Sequence, residues 1–148
     1  MNADNTSPTS ASQWLKSPEW LAGQVGKPDV VIVDGSYYLP TQNRDAQAEY
    51  LTAHIPGAVF FDITAVADHS TDLPHMLPGP DQFGTAASAL GISEKDTIIV
   101  YDGTGLYSAP RVWWTFRIFG AQKVFILDGG LPARTAAGHP PEAGQVKR

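Results

Sequence analysis

Four short apolar runs of the chain are each followed at once by an aspartate, namely Asp34, Asp62, Asp102 and Asp128. If the runs are parallel strands, these carboxylates share the sheet edge where open α/β folds bind ligands. An aspartate after a strand is also a good turn former and a cap for the next helix. Capping is the favoured interpretation for Asp34 and Asp128. Ligand binding and capping both stay open for the four aspartates.

A glycine-rich loop runs from Asp102 to Ser108 and leads into a predicted helix near Ala109. Such a loop can present backbone N–H groups to an anion or to a reactive thiolate. It lacks the GxxxxGK[ST] and GxGxxG patterns, so nucleotide binding has little support. Because the loop begins with a carboxylate, Asp102 would compete with an external anion for the same donors. Either Asp102 ties down its own loop or it has a functional role.

His75 is the histidine best placed for acid–base chemistry. It lies in residues 73–78 (LPHMLP), a stretch stiffened by two prolines in the loop after the second apolar run. A stiff loop can hold an imidazole for proton transfer or orientation, although a packing role is equally open. At His54 a structural hydrogen bond is favoured over catalysis, and surface positions are expected for His69 and His139.

The composition excludes several classes of function. The chain has 148 residues, enough for one domain, and no cysteine, so it cannot alone carry out a step that needs a thiol nucleophile. Its net charge is −5 with scattered basic residues, which argues against nucleic acid. No apolar run approaches membrane-spanning length, and the first residues lack a signal-peptide layout. We expect a cytoplasmic protein with no membrane partner, metal or cofactor.

The predicted elements that position these groups alternate between strands and helices. Continuous apolar runs are typical of strands that are covered on both faces; they are residues 30–33, 58–61, 98–101 and 124–127. Helical spacing or capping predicts helices that begin after Ser17 and cover residues 46–53, 83–90 and 112–119. The alternation predicts an α/β fold, a parallel sheet with helices on both faces.

The domain organisation follows from the same patterns. Residues 1–11 are predicted to be a disordered lead-in, 12–137 the domain, and 138–148 a linker or a truncated end.

Four segments, in order along the chain, resemble the rhodanese superfamily. They are residues 54–62 (HIPGAVFFD), 74–78 (PHMLP), 107–114 (YSAPRVWW) and 127–131 (LDGGL). More specifically, they are similar to the N-terminal, cysteine-less domain of two-domain sulfurtransferases of the 3-mercaptopyruvate and thiosulfate type. The resemblance runs from about Trp14 to Ala137 and implies a rhodanese-like sheet of about five strands.

The resemblance also implies roles for individual residues. In such proteins a C-terminal rhodanese domain carries the persulfide-forming cysteine, and Asp102 stands at the matching position here. Asp62 and His75 match residues that line the shared cleft and act with a serine of the other domain, in an arrangement like a hydrolase triad. Tyr107 matches a cleft residue of such proteins. It either hydrogen-bonds the substrate or packs as an aromatic side chain at the rim of the contact between the two domains.

One position departs from the family pattern. Where the family reads Gly-Gly-Leu-x-x-Trp, this chain has Arg134 in place of the tryptophan. Losing that ring removes an apolar contact under the last helix, which would be worth about 3 kcal/mol if fully buried.

Two functional hypotheses follow, and a third is discounted. The first is a non-catalytic half of a sulfurtransferase, which would move sulfur from 3-mercaptopyruvate or thiosulfate to a thiol or cyanide. The alternative is a cysteine-less rhodanese-like interaction module, whose Asp102 loop receives a cationic group or whose uncovered apolar surface self-associates. A phosphoacceptor domain is discounted because Asp34 has no acidic neighbour and Lys123 lies before its strand.

Overall fold

Five parallel strands form one sheet in the computed structural model, which describes residues 13–70 and 76–146. Their order across the sheet is β1-β5-β4-β2-β3. The strands are β1 (Leu15–Lys16), β2 (Val30–Asp34), β3 (Val59–Phe60), β4 (Thr97–Tyr101) and β5 (Val124–Leu127).

Five α-helices and one short 3-10 turn connect the strands in the described part of the chain. The helices are α1 (Pro18–Ala22), α2 (Ala46–Thr52), α3 (Pro80–Ala89), α4 (Ala109–Ile118) and α5 (Gly130–Ala136), and the 3-10 turn is Pro40–Gln42. The predicted cap of α1 is present, since the Ser17 hydroxyl accepts a hydrogen bond from the Trp20 N–H at 3.1 Å.

The sheet separates two apolar layers because successive side chains of a strand point to opposite faces. On one face, Val31 and Val33 of β2 join a cluster with α3 and α4, where Phe83 and Phe116 meet with ring centroids 5.2 Å apart. On the other face, Ile32 joins a cluster with α1, α2 and α5. The buried strands therefore lie between helices on both sides.

These observations confirm the predicted α/β fold and its four apolar strands. The fifth strand, β1, was not predicted from the residue pattern, because its two residues are too short to show a period. It pairs in parallel with β5. The predicted bounds of the domain stay predictions, and the lead-in of residues 1–11 lies outside the described residues.

Candidate functional site

The carboxyl ends of the strands bring the four aspartates to one edge of the sheet. Asp34 is in register with Phe60 on one neighbouring strand and with Tyr101 on the other. Asp62 and Asp102 follow those partners within two residues. Asp128 follows β5, whose Ile126 is in register with Val100 of β4.

Asp102 is the most constrained group at this edge. Its side chain is 1% exposed and accepts five backbone hydrogen bonds. Oδ1 accepts from Thr104 and Gly105 at 3.0 and 2.7 Å. Oδ2 accepts from Tyr107, Ser108 and Ala109 at 2.8, 2.9 and 2.8 Å. The carboxylate thus takes up the donors of its own loop and of the start of α4, as the loop-tying interpretation expects.

Two serines join this loop to the loop that follows β2. The Ser108 hydroxyl donates to the Gly35 carbonyl at 2.7 Å and accepts from the Tyr37 N–H at 3.0 Å. The Ser36 hydroxyl accepts from the Gly103 N–H at 2.9 Å. Sequence analysis missed both serines, because the partners lie about seventy residues apart and no local pattern links them.

Gly130 allows the Asp102 loop to approach the start of α5. Its φ is +61°, and a Cβ there would collide with the Asp102 carbonyl oxygen and with Gly105. The Leu131 N–H donates to the same Asp102 carbonyl at 3.1 Å. A glycine at this position therefore keeps the loop packed onto the sheet edge.

Asp62 is half-buried and caps the turn that follows β3. Its Oδ1 accepts from the Thr64 and Ala65 N–H groups at 3.0 and 3.1 Å. Asp62 also lines a hollow of about 350 Å³ with Tyr37 and Arg44 among its other lining residues. The carboxylate is held in place and faces space that a small molecule can enter.

The predicted partner of Asp62, His75, lies outside the described residues, so their pairing stays a prediction. The neighbouring residue Met76 is described, and its carbonyl accepts from the Asp68 N–H at 3.0 Å. This bond joins the two sides of the loop between β3 and α3.

Tyr107 is exposed at the tip of the loop that Asp102 holds. The backbone of Tyr107 is fixed by its hydrogen bond to the carboxylate, and its ring projects from the surface. Its predicted role in substrate binding stays a prediction.

Asp34 is a buried acid at the base of a second hollow, of about 450 Å³, between α2 and α5. Burial raises the pKa of the Asp34 carboxyl, and hydrogen bonds from Ser36 and Tyr101 partly oppose that rise. The Tyr101 hydroxyl also accepts from the Ile55 N–H at 3.2 Å. This acid is therefore part of a buried network.

Arg44 lines both hollows and forms an ion pair with Glu49, which lines the hollow above Asp34. Arg44 donates from Nε and Nη2 to the two carboxylate oxygens of Glu49, at 2.9 and 2.7 Å, and stacks on the Tyr38 ring at 3.9 Å. Hydrogen bonding to Arg44 lowers the pKa of Glu49. Sequence analysis missed this pair, since a spacing of five residues across a helix start is not a helical contact pattern.

Neither a metal site nor a membrane span is found in residues 13–70 and 76–146. No group of three or more His, Cys, Asp or Glu side chains there is arranged to hold a metal ion. Within the same ranges, no helix is long and apolar enough to cross a bilayer.

Comparison with known proteins gives a family and close relatives. The model of the rhodanese-like domain matches residues 17–137. The chain is 48% identical over 139 residues to thiosulfate/3-mercaptopyruvate sulfurtransferase 1, mitochondrial, of Arabidopsis thaliana, covering 94% of this chain and 37% of that protein. It is 48% identical over 122 residues to 3-mercaptopyruvate sulfurtransferase of Escherichia coli K12, covering 82% and 43%. The chain thus spans about two fifths of the length of these relatives, in their N-terminal half.

Solved structures give the same result. The crystal structure of SseA from Escherichia coli, described as a 3-mercaptopyruvate sulfotransferase with the rhodanese fold, superposes with a TM-score of 0.89 at 44% identity. The match covers 93% of this chain and 53% of that one. Tum1 from Saccharomyces cerevisiae superposes with a TM-score of 0.80 at 32% identity, covering 89% and 44%.

Replacing Asp102 by Asn should destabilise the protein by about 2–4 kcal/mol, because an amide NH₂ at one oxygen position leaves buried N–H donors without an acceptor. Urea unfolding measures the loss. The control is Asp128→Asn, an exposed aspartate at the matching place after β5, which should change stability little. Equal effects of the two substitutions would contradict the role given to the Asp102 carboxylate.

Asp34→Asn should alter how stability depends on pH. The folded-state pKa of Asp34 is raised, so this group contributes stability that is fully present below its unfolded pKa of about 3.9. That contribution is lost as the pH rises through the folded-state pKa. The stability of the variant relative to wild type should therefore increase from pH 4 to pH 7 in urea titrations. A difference between variant and wild type that stays constant over this pH range would count against it.

Proposed function

Because the chain belongs to the family of rhodanese-like domains, we propose that it is the half of a sulfurtransferase that shapes the reaction cleft and carries no sulfur itself. The observation that carries the proposal is the Asp102 carboxylate, which fills the loop's donor site in a chain without cysteine. The loop therefore has no thiol, and five of the N–H donors that could face a persulfide are bonded to the carboxylate instead. A second, cysteine-bearing rhodanese domain supplies the nucleophile.

The reaction moves the sulfur atom of 3-mercaptopyruvate, or the outer sulfur of thiosulfate, to the cysteine of that domain. With 3-mercaptopyruvate, the cysteine sulfur bonds to the substrate sulfur while the substrate's carbon–sulfur bond breaks. The products are a cysteine persulfide and pyruvate, whose methyl carbon gains one proton. A thiol or cyanide then accepts the outer sulfur from the persulfide.

Asp62 and His75 supply the proton handling that this step needs. Asp62 is held by two backbone N–H groups and faces a hollow, so its carboxylate can fix the tautomer of an imidazole. His75 then orients or deprotonates a serine hydroxyl of the second domain, and the proton is available as pyruvate leaves. Tyr107 extends from the loop beside this cleft to hydrogen-bond the substrate.

The surface that we assign to contact with the second domain is a stripe that begins at Tyr107, just before α4, and continues along the helix. Arg111, Trp114 and Ile118 follow at intervals of four, three and four residues, which place them along one side of α4. Arg111 is half-buried, and the other members of the stripe are exposed. The Arg111 guanidinium stacks on the Trp114 ring at 5.0 Å, and Ile118 is 46% exposed. Large apolar side chains exposed in a row are typical of an interaction surface.

The activity is tested with a chimera in which this chain replaces the matching N-terminal part of the Escherichia coli relative. With 3-mercaptopyruvate and an excess of a dithiol, which accepts the sulfur and is oxidised to a disulfide as sulfide leaves, the chain alone should release no pyruvate or sulfide, and the chimera should release both. Asp62→Asn in the chimera should lower kcat by about 100-fold, because the imidazole loses its orienting partner. Asp128→Asn should leave kcat unchanged. Release of sulfide by the pure chain, or full activity of the Asp62→Asn chimera, would refute the proposed roles.

The stripe is tested by Ile118→Lys. It should lower the Tm of the chimera through the lost contact and leave that of the chain alone unchanged, since Ile118 is exposed there. Calorimetry measures both. An equal effect on the two proteins would contradict the assigned surface. If the chain alone instead dimerises in light scattering and Ile118→Lys abolishes the dimer, the interaction-module alternative is favoured.

A further inference from the structure

The segment after α5 is tied back onto the body of the domain, and we call residues 140–146 the strap. Its start is held by α5: the His139 N–H donates to the Arg134 carbonyl at 3.2 Å, and Arg134 Nη1 donates to the Pro140 carbonyl at 2.9 Å. The strap then reaches the corner between α2 and β3. It is a fixed part of the fold, although no helix or strand follows α5 in the described residues.

His54, at that corner, makes two backbone hydrogen bonds to the strap, and both nitrogens of its ring face carbonyl oxygens. Its backbone N–H donates to the Glu142 carbonyl at 2.8 Å and its carbonyl accepts from the Glu142 N–H at 2.7 Å. Its ring nitrogens Nε2 and Nδ1 lie 2.8 and 2.9 Å from the carbonyl oxygens of Gly144 and Ile55. The side chain is fully buried, and its ring stacks on that of Tyr50 with centroids 4.5 Å apart.

Two further bonds hold the strap beside His54. The Gly144 N–H donates to the Leu51 carbonyl at 2.8 Å, and the Gly57 N–H donates to Glu142 Oε1 at 3.1 Å. The backbone N–H and carbonyl of Glu142 and the N–H of Gly144 are thus bonded to α2 and to the turn that follows it. The fully buried His54 ring reaches the strap from this turn, and the buried Tyr50 hydroxyl of α2 reaches its last residue at the Val146 backbone.

The strap passes around the edge of the sheet. It begins at α5, on the face covered by the cluster with Tyr50, and ends at Val146, which packs against the cluster on the opposite face. The outermost strand on that side is β3, which leads into Asp62. Chain that continues beyond the strap would therefore start beside β3, the strand that precedes Asp62.

We propose that His54 is a positioning residue: its Nε2–H bond to the Gly144 carbonyl fixes the strap, and the strap fixes where a following domain begins. This rests on the proposed function, because it gives the path by which a covalently attached second domain is brought to the Asp62 cleft. Burial makes the bond matter, because the His54 ring is fully buried and a buried N–H that lost its acceptor would be destabilising.

Two conservative variants separate anchoring from mere packing. In His54→Gln the side-chain amide nitrogen corresponds to Nε2 and still reaches Gly144, whereas in His54→Asn it corresponds to Nδ1 and reaches only Ile55. Hydrogen exchange of the wild-type chain should show protection at Glu142 and Gly144. Asn should raise exchange in residues 140–146 by about tenfold, Gln should restore protection, and β4 should be unaffected in both. Equal exchange in the two variants, or an unprotected wild-type strap, overturns the proposal.

A second measurement does not alter His54 and so does not depend on how its variants fold. In ¹⁵N-detected NMR of the wild-type ring, Nε2 should carry a proton that exchanges slowly, and Gly144→Pro, which disrupts the strap alone, should make that exchange fast. If Nε2 is instead the unprotonated nitrogen, the ring donates only to Ile55 and the anchor is excluded. Both results are obtained on the chain alone, whatever the activity of the chimera.

The link to activity is read in the chimera. His54→Asn should reduce kcat/KM and His54→Gln should restore it, because only the former releases the start of the second domain. A strap that loosens in the Asn variant without any change in kcat/KM would overturn the positioning role and leave the proposed sulfur-transfer function intact.

Discussion

The convergence of five backbone N–H groups on one carboxylate organises the functional edge of this domain. A buried carboxylate needs this number of donors because it would otherwise lose its hydration without compensation. Asp102 meets that need with its own loop and the first turn of α4. The fixed loop is bonded to the loop after β2 through Ser36 and Ser108. The Asp102 carboxylate therefore stabilises the arrangement of both loops.

The bonding of Asp102 also separates the groups at this edge into N–H donors that are already bonded and acids that border open space. Five N–H donors of the loop and of the start of α4 are bonded to Asp102, and open space lies instead beside Asp62 and above Asp34. Arg44 lines both hollows. This distribution supports the proposed role, in which the domain contributes acids to a site that another domain completes.

The fold and the role of Asp102 in its own loop were predictable from the sequence, but the contacts between distant segments were not. Continuous apolar runs predict buried strands, and each of the four runs contains a strand, although the run at residues 58–61 forms only Val59–Phe60 at the sheet edge. The two residues of β1 belong to no apolar run and show no period. The aspartate that begins a glycine loop could be interpreted locally, because its partners are its own neighbours. The Gly103–Ser36 bond and the contact of His54 with Gly144 join residues far apart in the chain, and no spacing rule reveals them.

Arg134 shows how a departure from a family pattern can be compensated. The expected loss was an apolar contact under α5, yet the arginine is itself 5% exposed, and burial lowers the pKa of its guanidinium. One guanidinium nitrogen, Nη1, bonds the Pro140 carbonyl, while Nε has no hydrogen-bond partner. A buried, partly satisfied cation is a costly replacement for an aromatic ring. Arg134 nevertheless has a structural role, because it ties α5 to the start of the strap, while the buried His54 and Tyr50 contact the strap further along the chain.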